Sequence, residues 1–377
     1  MATLKHIPIC LQEDKCPSNL MLRDIIGAFL TKEWPLVEPD ALTIDYHTCF
    51  ANVNCHVQRP KPTASAPEEP LKVFVKLHRA SSEVKIFKHL MPTKHAEAVL
   101  CHEYAQTGRG ALMYGFFQTK DGTFGRIDEF LDARIMLPED AEDAVLRSEV
   151  AEAFASFHSM NHSLELQPVD SFYAAIMGGL GTLQGSDKLK SIGKAGGVDV
   201  DRLVDYDFAT RVGKIADKLA SMGAKTGLCI NDVAYMNVLV KNGPLKIGES
   251  RVVLIDFEFA LHNYRAFDIA AHFAEKTFTW SEEESKEAER RKYTDDEKRL
   301  FCEAYARRWN QSTGGADTAE QVFLEAQHGS MLSIAWNVYN MLCVVEDQGE
   351  KGSCNLSGLN NLLEEFEAQF TQLGLND

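Results

Sequence analysis

The chain has little positive charge and no long apolar run. Its 39 Lys and Arg face 55 Asp and Glu, a formal net charge of -16, and a field of that sign repels phosphate backbones and anionic membranes. No nucleic acid is therefore expected as a partner, while a cationic small molecule is favoured. The first twenty residues, MATLKHIPICLQEDKCPSNL, break every apolar stretch with charge or proline. Neither a secretory core nor a membrane-inserted segment is read there or further on, and the expected location is cytoplasmic. The nine cysteines include no CxxC pair and no Cys/His spacing of zinc type, so they read as reduced structural thiols. The glycines of GGLGTLQGSDKLKSIGKAGG (178–197) follow no strand and form no dinucleotide fingerprint; that stretch reads as a mobile surface connection. No internal repeat is present.

With 377 residues, 45% of them hydrophobic, the chain can bury a sizeable core, and roughly 100–200 residues per domain predicts two lobes. NLMLRDIIGAF (19–29) has helical spacing. CFANVNCHVQ (49–58) and LKVFVKLH (71–78) read as a strand pair joined by a Pro-rich loop. SSEVKIFKHLM (81–91) turns helical, and two more strands surround the KDG turn near residue 121. From Ala141 the pattern changes to long amphipathic helices, the clearest placing Val145, Val150, Phe154 and Phe157 on one face. The charged run 281–299 reads as a solvated helix face. The predicted lobes are 1–130, binding nucleotide, and 131–377, carrying catalysis and substrate binding.

The informative segment begins LCINDVAYMNVLV (228–240), passes an NGP turn and reaches VVLI before Asp256. A hairpin of those two strands places Asp232 and Asn237 at the start of one and Asp256 at the end of the other. Phosphoryl transfer needs such a set: one carboxylate to take or orient the attacking hydroxyl's proton, and a carboxylate plus an amide oxygen to hold Mg2+ on the nucleotide phosphates. Asp-x4-Asn, then a strand and Asp-Phe, is the kinase spacing. Lys76 closes the strand VFV and Glu83 opens the next helix, an arrangement in which the Glu would steady a phosphate-binding Lys.

IDFEFALHNYRAFDIAAHFAE (255–275) resembles the signature of the choline and ethanolamine kinases. GRIDEFLDARIMLP (125–138), AEAFASFHSMN (151–161) and SIAWNVYNML (333–342) are similar to other parts of that family, and the likeness runs from about Asn52 to Glu346. It implies an α+β, two-lobed protein-kinase-like fold, with a small antiparallel sheet in the N-lobe and a larger, mostly helical C-lobe. It also implies ATP and Mg2+ as cofactors and choline or ethanolamine as phosphoryl acceptor in phospholipid synthesis. By position, Asp232 would be the catalytic base, with Asn237, Asp256 and Glu258 at the metal. Asn52, Lys76 and Glu83 would serve the nucleotide, and Glu129, Phe130 and Leu131 would meet the adenine through backbone groups. Glu275, Trp280, Trp336 and Tyr339 would receive the ammonium end, which aromatic faces and carboxylates suit. Asp268 would support the catalytic loop, and a homodimer is expected from the same likeness. NYR and the aromatic helix favour choline.

Several residues depart from the pattern. Ile230 stands where the family has a histidine, and its side chain cannot hydrogen-bond to brace the loop. VAYM between Asp232 and Asn237 is less polar than usual, and YHTCFANVN keeps Asn52 without the usual glycine pair. Ala271 and Lys276 alter the expected edge of the amine pocket. Two other readings stand beside the kinase: a catalytically weak, pseudokinase-like regulatory subunit that binds nucleotide or amine, and an aminoglycoside-type phosphotransferase.

Overall fold

The computed structural model describes residues 3–11, 16–48, 52–61, 67–78, 91–245, 248–276, 278–279, 286–287 and 291–376. The chain divides into two compact units. One comprises Met1–Lys88, Pro92–Arg134 and Val240–Glu258; the other comprises His89–Met91, Ile135–Leu239 and Phe259–Asp377. The first unit thus takes in residues 240–258, which a single break after residue 130 assigns to the second.

The first unit is built on β1 (Leu4–Ile7), α1 (Asn19–Gly27), β2 (Thr43–Thr48), β3 (Asn52–Gln58), β4 (Lys72–His78), α2 (Lys94–Gln106), β5 (Met113–Thr119) and β6 (Phe124–Glu129). Six strands form one sheet in the order β1-β5-β6-β4-β3-β2, with β1 parallel to β5 and the other pairs antiparallel. The alternation of apolar and polar residues fixes which face is which. Val53, Cys55 and Val57 of β3, with Val73, Val75 and Leu77 of β4, join Ile25, Ile26 and Trp34 in one core. Asn54, His56, Phe74 and Lys76 consequently share the other face, Lys76 lying opposite Asn54 on one side and Arg126 on the other.

The residues between Lys76 and β5 differ from expectation. The helix read at 81–91 falls almost wholly outside the described residues, and the described helix is α2, capped by Thr93, whose hydroxyl accepts the Ala96 N–H. β1 and β2 carried no strong strand signal, being short or interrupted by charge.

The second unit is mostly helical. β7 (Ala133–Ile135) leads into α3 (Ala144–His158), α4 (Val169–Leu183), α5 (Asp187–Ala195), α6 (Asp201–Asp205) and α7 (Phe208–Ser221). Then follow β8 (Thr226–Cys229), β9 (Val238–Lys241), β10 (Val252–Leu254), β11 (Leu261–Tyr264) and α8 (Arg265–Glu275). Of these, β10 belongs to the first unit, and the boundary passes through β7 and β9. The NGP hairpin closes with Lys241 N–H donating to Arg251 O at 2.9 Å. Beyond residue 290 lie α9 (Asp295–Thr313), α10 (Ala319–Gln348) and α11 (Leu356–Gln372). Asp143 caps α3 by accepting the Val145 and Leu146 N–H groups, and Thr294 with Glu297 forms a capping box on α9.

Two expectations are overturned here. Val145 is exposed, because it lies five positions from Val150, which turns it off the face formed by Leu146, Val150, Phe154 and Phe157. The stretch 178–197 is helical over most of its length, in α4 and α5, with Leu180, Leu183, Leu189 and Ile192 buried. Gly179 serves packing: a Cβ there would stand 2.3 Å from the Tyr339 ring. Gly329 of α10 likewise lets α8 approach, since a Cβ there would meet Ala266 O at 2.3 Å.

Candidate active site

In the first unit, Lys76 is buried and reaches two carboxylates. Its Nζ donates to Asp256 Oδ1 at 2.8 Å and lies 3.4 Å from Glu97 Oε1 on α2. Burial alone would lower the Lys76 pKa, but Glu97 and Asp256 outweigh it and raise the value, keeping the ammonium charged. Glu97 is fully buried and also accepts from Arg126 Nη1 at 2.9 Å and Lys94 Nζ at 3.3 Å. Burial would raise the Glu97 pKa; the surrounding cations, Lys76 first, hold it well below the usual carboxylate range. Glu83, the expected partner of Lys76, lies outside the described residues.

Asp256 leaves β10 with φ at 64°, a left-handed conformation unusual for a non-glycine residue. Glu258 follows and accepts from Lys94 Nζ at 3.3 Å. Burial, and then the neighbouring Asp256 charge, raise the Glu258 pKa. Two carboxylates crowded together in a mostly dry place make an oxygen-rich site that a small divalent cation would neutralise.

The other expected nucleotide residues occupy the same unit. Asn52 is buried, its Oδ1 accepting from His78 Nδ1 at 3.1 Å. The Glu129 N–H donates to Leu112 O at 2.6 Å and its carboxylate accepts the Leu112 N–H, so this backbone donor is committed between the end of β6 and the residue before β5. The Phe130 ring lies beneath Lys72 Nζ at 3.7 Å and edge-on to His56. Leu131 is half-buried.

In the second unit the catalytic-loop candidates hang from β8. Asp268, fully buried on α8, accepts the Ile230 N–H at 2.6 Å and the Asn231 N–H at 3.0 Å. His158 of α3 places Nε2 3.0 Å from the same carboxylate and Nδ1 2.9 Å from the Tyr305 hydroxyl. Ile230 therefore leaves no gap in the bracing: the loop is held through its backbone, and a histidine arrives from another helix. Asn231, with φ at 60°, donates to Cys229 O and Phe259 O and accepts from Asn263 Nδ2. That network fixes a strained turn immediately before Asp232.

Asp232 is half-buried, and Asn237 Nδ2 donates to its carbonyl at 3.0 Å and its Oδ2 at 3.3 Å. A carboxylate steadied by an amide can accept a hydroxyl proton. Glu275 ends α8 beneath the same loop; burial, and then the Asp232 charge, push its pKa up to about 8, against a bond from the Tyr235 N–H. Trp336 of α10 is buried against Phe172, ring centroids 5.3 Å apart, and Phe259. Tyr339, three residues on, covers Gly179. Trp280 lies outside the described residues.

Two further expectations change. Arg265 of the NYR motif is fully buried, its Nε 2.8 Å from Glu325 and Nη1 2.5 Å from Asp317, so it clamps α8 to α10 as a structural cation. Lys276 is buried as well, with Nζ 2.5 Å from Glu142. Sequence reasoning missed Glu97, Arg126 and His158. The Thr93 cap followed by an apolar helical period was the signal that could have located α2; nothing local marked His158.

Residues 47–360 match the family described as choline/ethanolamine kinase. Over 291 residues the chain is 24% identical to a human choline/ethanolamine kinase, spanning 73% of this chain and 68% of that one. The structure is similar to a choline kinase from Cryptosporidium parvum Iowa II, with a TM-score of 0.65 at 13% identity over 93% of this chain and 97% of that one. An ethanolamine kinase from Plasmodium vivax gives a TM-score of 0.61 at 17% identity over 93% and 87%. At these identities the structural likeness establishes the fold, which is protein-kinase-like, with a sheet-rich N-terminal part and a mostly helical remainder.

Proposed function

This chain belongs to the choline/ethanolamine kinase family, enzymes that phosphorylate an alcohol acceptor, and from that premise we propose ATP- and Mg2+-dependent phosphorylation of choline or ethanolamine. The observation that carries the reading is Lys76, buried yet held charged between Glu97 and Asp256. A cation fixed in that way is suited to phosphate oxygens. Mg2+ favours oxygen donors, and on this reading Asp256, Glu258 and Asn237 would be its ligands; the crowding of Asp256 on Glu258 supports a cation at those two carboxylates. Mg2+, when bound, supplies charge neutralisation at the phosphates.

Asp232 takes the proton of the acceptor hydroxyl as its oxygen bonds to the terminal phosphorus and the bond to the bridging oxygen of ADP breaks. Asn237 orients Asp232, and Asp268 holds the turn that precedes it. Asn52 and the Glu129–Leu131 segment serve the nucleotide, while Glu275, Trp280, Trp336 and Tyr339 serve the amine. The product, phosphocholine or phosphoethanolamine, belongs to cytoplasmic phospholipid synthesis on this reading. Among the described residues no helix is long and apolar enough to cross a membrane. A homodimer is part of the same proposal and is tested by sedimentation.

The deciding experiment measures ADP release by the purified chain with MgATP and either choline or ethanolamine, beside Asp232→Ala and a metal-free control. Turnover with one amine, lost in both controls, supports the kinase and identifies its acceptor. A folded protein that releases ADP only at the buffer rate with both amines overturns it in favour of a binding, regulatory relative.

A further inference from the structure

β2 and β3 gather Asp45, His47 and His56 on the sheet face that also carries Lys76. Asp45 lies opposite His56 and His47 opposite Asn54, so the two histidines are diagonal neighbours on adjacent strands. His47 Nε2 stands 3.1 Å from His56 Nδ1, and the rings lie 4.9 Å apart. On the far side of the His56 ring, Nε2 lies 3.0 Å from Asp45 Oδ2. One donor atom from each of the three falls within 4.8 Å of the other two.

We propose that Asp45, His47 and His56 form a site for a divalent transition metal of the zinc class, distinct from any magnesium bound with nucleotide. Two imidazole nitrogens on one tetrahedral ion, each at about 2.0–2.1 Å, stand about 3.3 Å apart, close to the spacing already present. The Asp45 contact sets the tautomer. With the His56 Nε2 proton given to Asp45, Nδ1 turns its lone pair toward His47, and His47 offers a second lone pair once its own proton sits on Nδ1. A carboxylate holding the far nitrogen of a ligating histidine is the usual support of such an ion. Asp45 and His47 are exposed, which leaves the remaining positions to water.

The ligand chemistry selects the ion. Imidazole nitrogen suits zinc, copper or nickel, whereas Mg2+ prefers oxygen throughout. A second cluster among the described residues, His158 with Cys229 and Asp268, has no such capacity. Both nitrogens of His158 are engaged, and Asp268 is spent on two backbone N–H groups.

The test is direct binding to the full chain, independent of whether it is a kinase. Metal-free protein competes with a chromophoric chelator for Zn2+, and Co2+ is added separately to read its absorption. One Zn2+ per chain is expected, undisturbed by millimolar Mg2+, lost in His47→Gln and His56→Gln, and weakened about 10- to 100-fold in Asp45→Asn. The Co2+ complex should lack the near-ultraviolet thiolate charge-transfer band, which separates this site from the cysteines. Thermal melts of the variants check the fold, and because His47 is exposed, His47→Gln alone suffices should His56→Gln misfold. Zn2+ binding unchanged in a folded His47→Gln, a thiolate band, or no Zn2+ taken from the chelator by wild type overturns the proposal.

Discussion

Asp268 holds Ile230 by its backbone: one carboxylate oxygen accepts the Ile230 N–H at 2.6 Å while His158 touches the same oxygen at 3.0 Å. The bracing of the loop thus depends on the fourth residue of α8, and the side chain at 230 is only packing. Asp268→Asn would keep one acceptor and set an amide N–H against a backbone N–H. A buried donor left unsatisfied costs about 1–3 kcal/mol, so urea unfolding should show that loss together with a fall in kcat. Ile230→His, by contrast, should leave kcat no higher than in wild type, because the positions around Asp268 are already filled. A large gain in kcat would show that the loop lacks a brace.

Glu97 gathers three cations, Lys76, Lys94 and Arg126. Removing its charge in Glu97→Gln leaves buried positive groups facing one another, a change that costs about 3–5 kcal/mol. Lys76→Met should be milder, since Glu97 then retains Arg126 and Lys94. The two variants separate stability from function: MgATP should raise the melting temperature of wild type, and Lys76→Met should stay folded yet show no such rise. Equal destabilisation by both would contradict this ordering.

How far these residues were legible depends on whether their signal was local. Strands β3 to β6 followed from alternation, and the kinase-like fold from the order of motifs, since each rests on neighbours in sequence. The face borne by Lys76 was likewise implied by Val73, Val75 and Leu77 pointing to the core. Glu97 and His158 were not, because what makes them matter is a contact made across 21 residues to Lys76 and across 110 to Asp268. The stretch 178–197 misled for a related reason: glycine lowers helix propensity, but tertiary packing against Tyr339 rewards its absence of a side chain. The pairing of His47 with His56 is likewise a property of strand register, invisible in Cys/His spacing.

The NYR motif favours choline when read in sequence, and the position of Arg265 changes that inference. It is fully buried, bonded through Nε and Nη2 to Glu325, with the Trp309 ring 5.0 Å from its guanidinium. Lysine cannot reproduce a forked contact to one carboxylate. Arg265→Lys should therefore lower the unfolding midpoint, while the ratio of kcat/KM for choline to that for ethanolamine stays at the wild-type value. A shifted ratio in a protein of unchanged stability would return Arg265 to the substrate site.

Glu275 gives the site its expected pH dependence. Burial, and then the charge of Asp232, push its pKa up to about 8 from a usual value of 4.5. Between those values the folded chain keeps a proton that the unfolded chain has released, so stability falls as pH rises through the window. Glu275→Gln removes this slope, and denaturant unfolding of the two proteins from about pH 5 to about pH 8 should diverge as pH rises, the variant losing less. A bound ammonium reverses the balance, since a cation beside the carboxyl favours its ionised form. Choline binding near neutral pH should then release a proton, read as a dependence of the calorimetric heat on the buffer's ionisation enthalpy, and that dependence should vanish in Glu275→Gln. Heats independent of buffer in wild type would place the amine away from Glu275, and the aromatic residues of α10 alone would have to hold the cation.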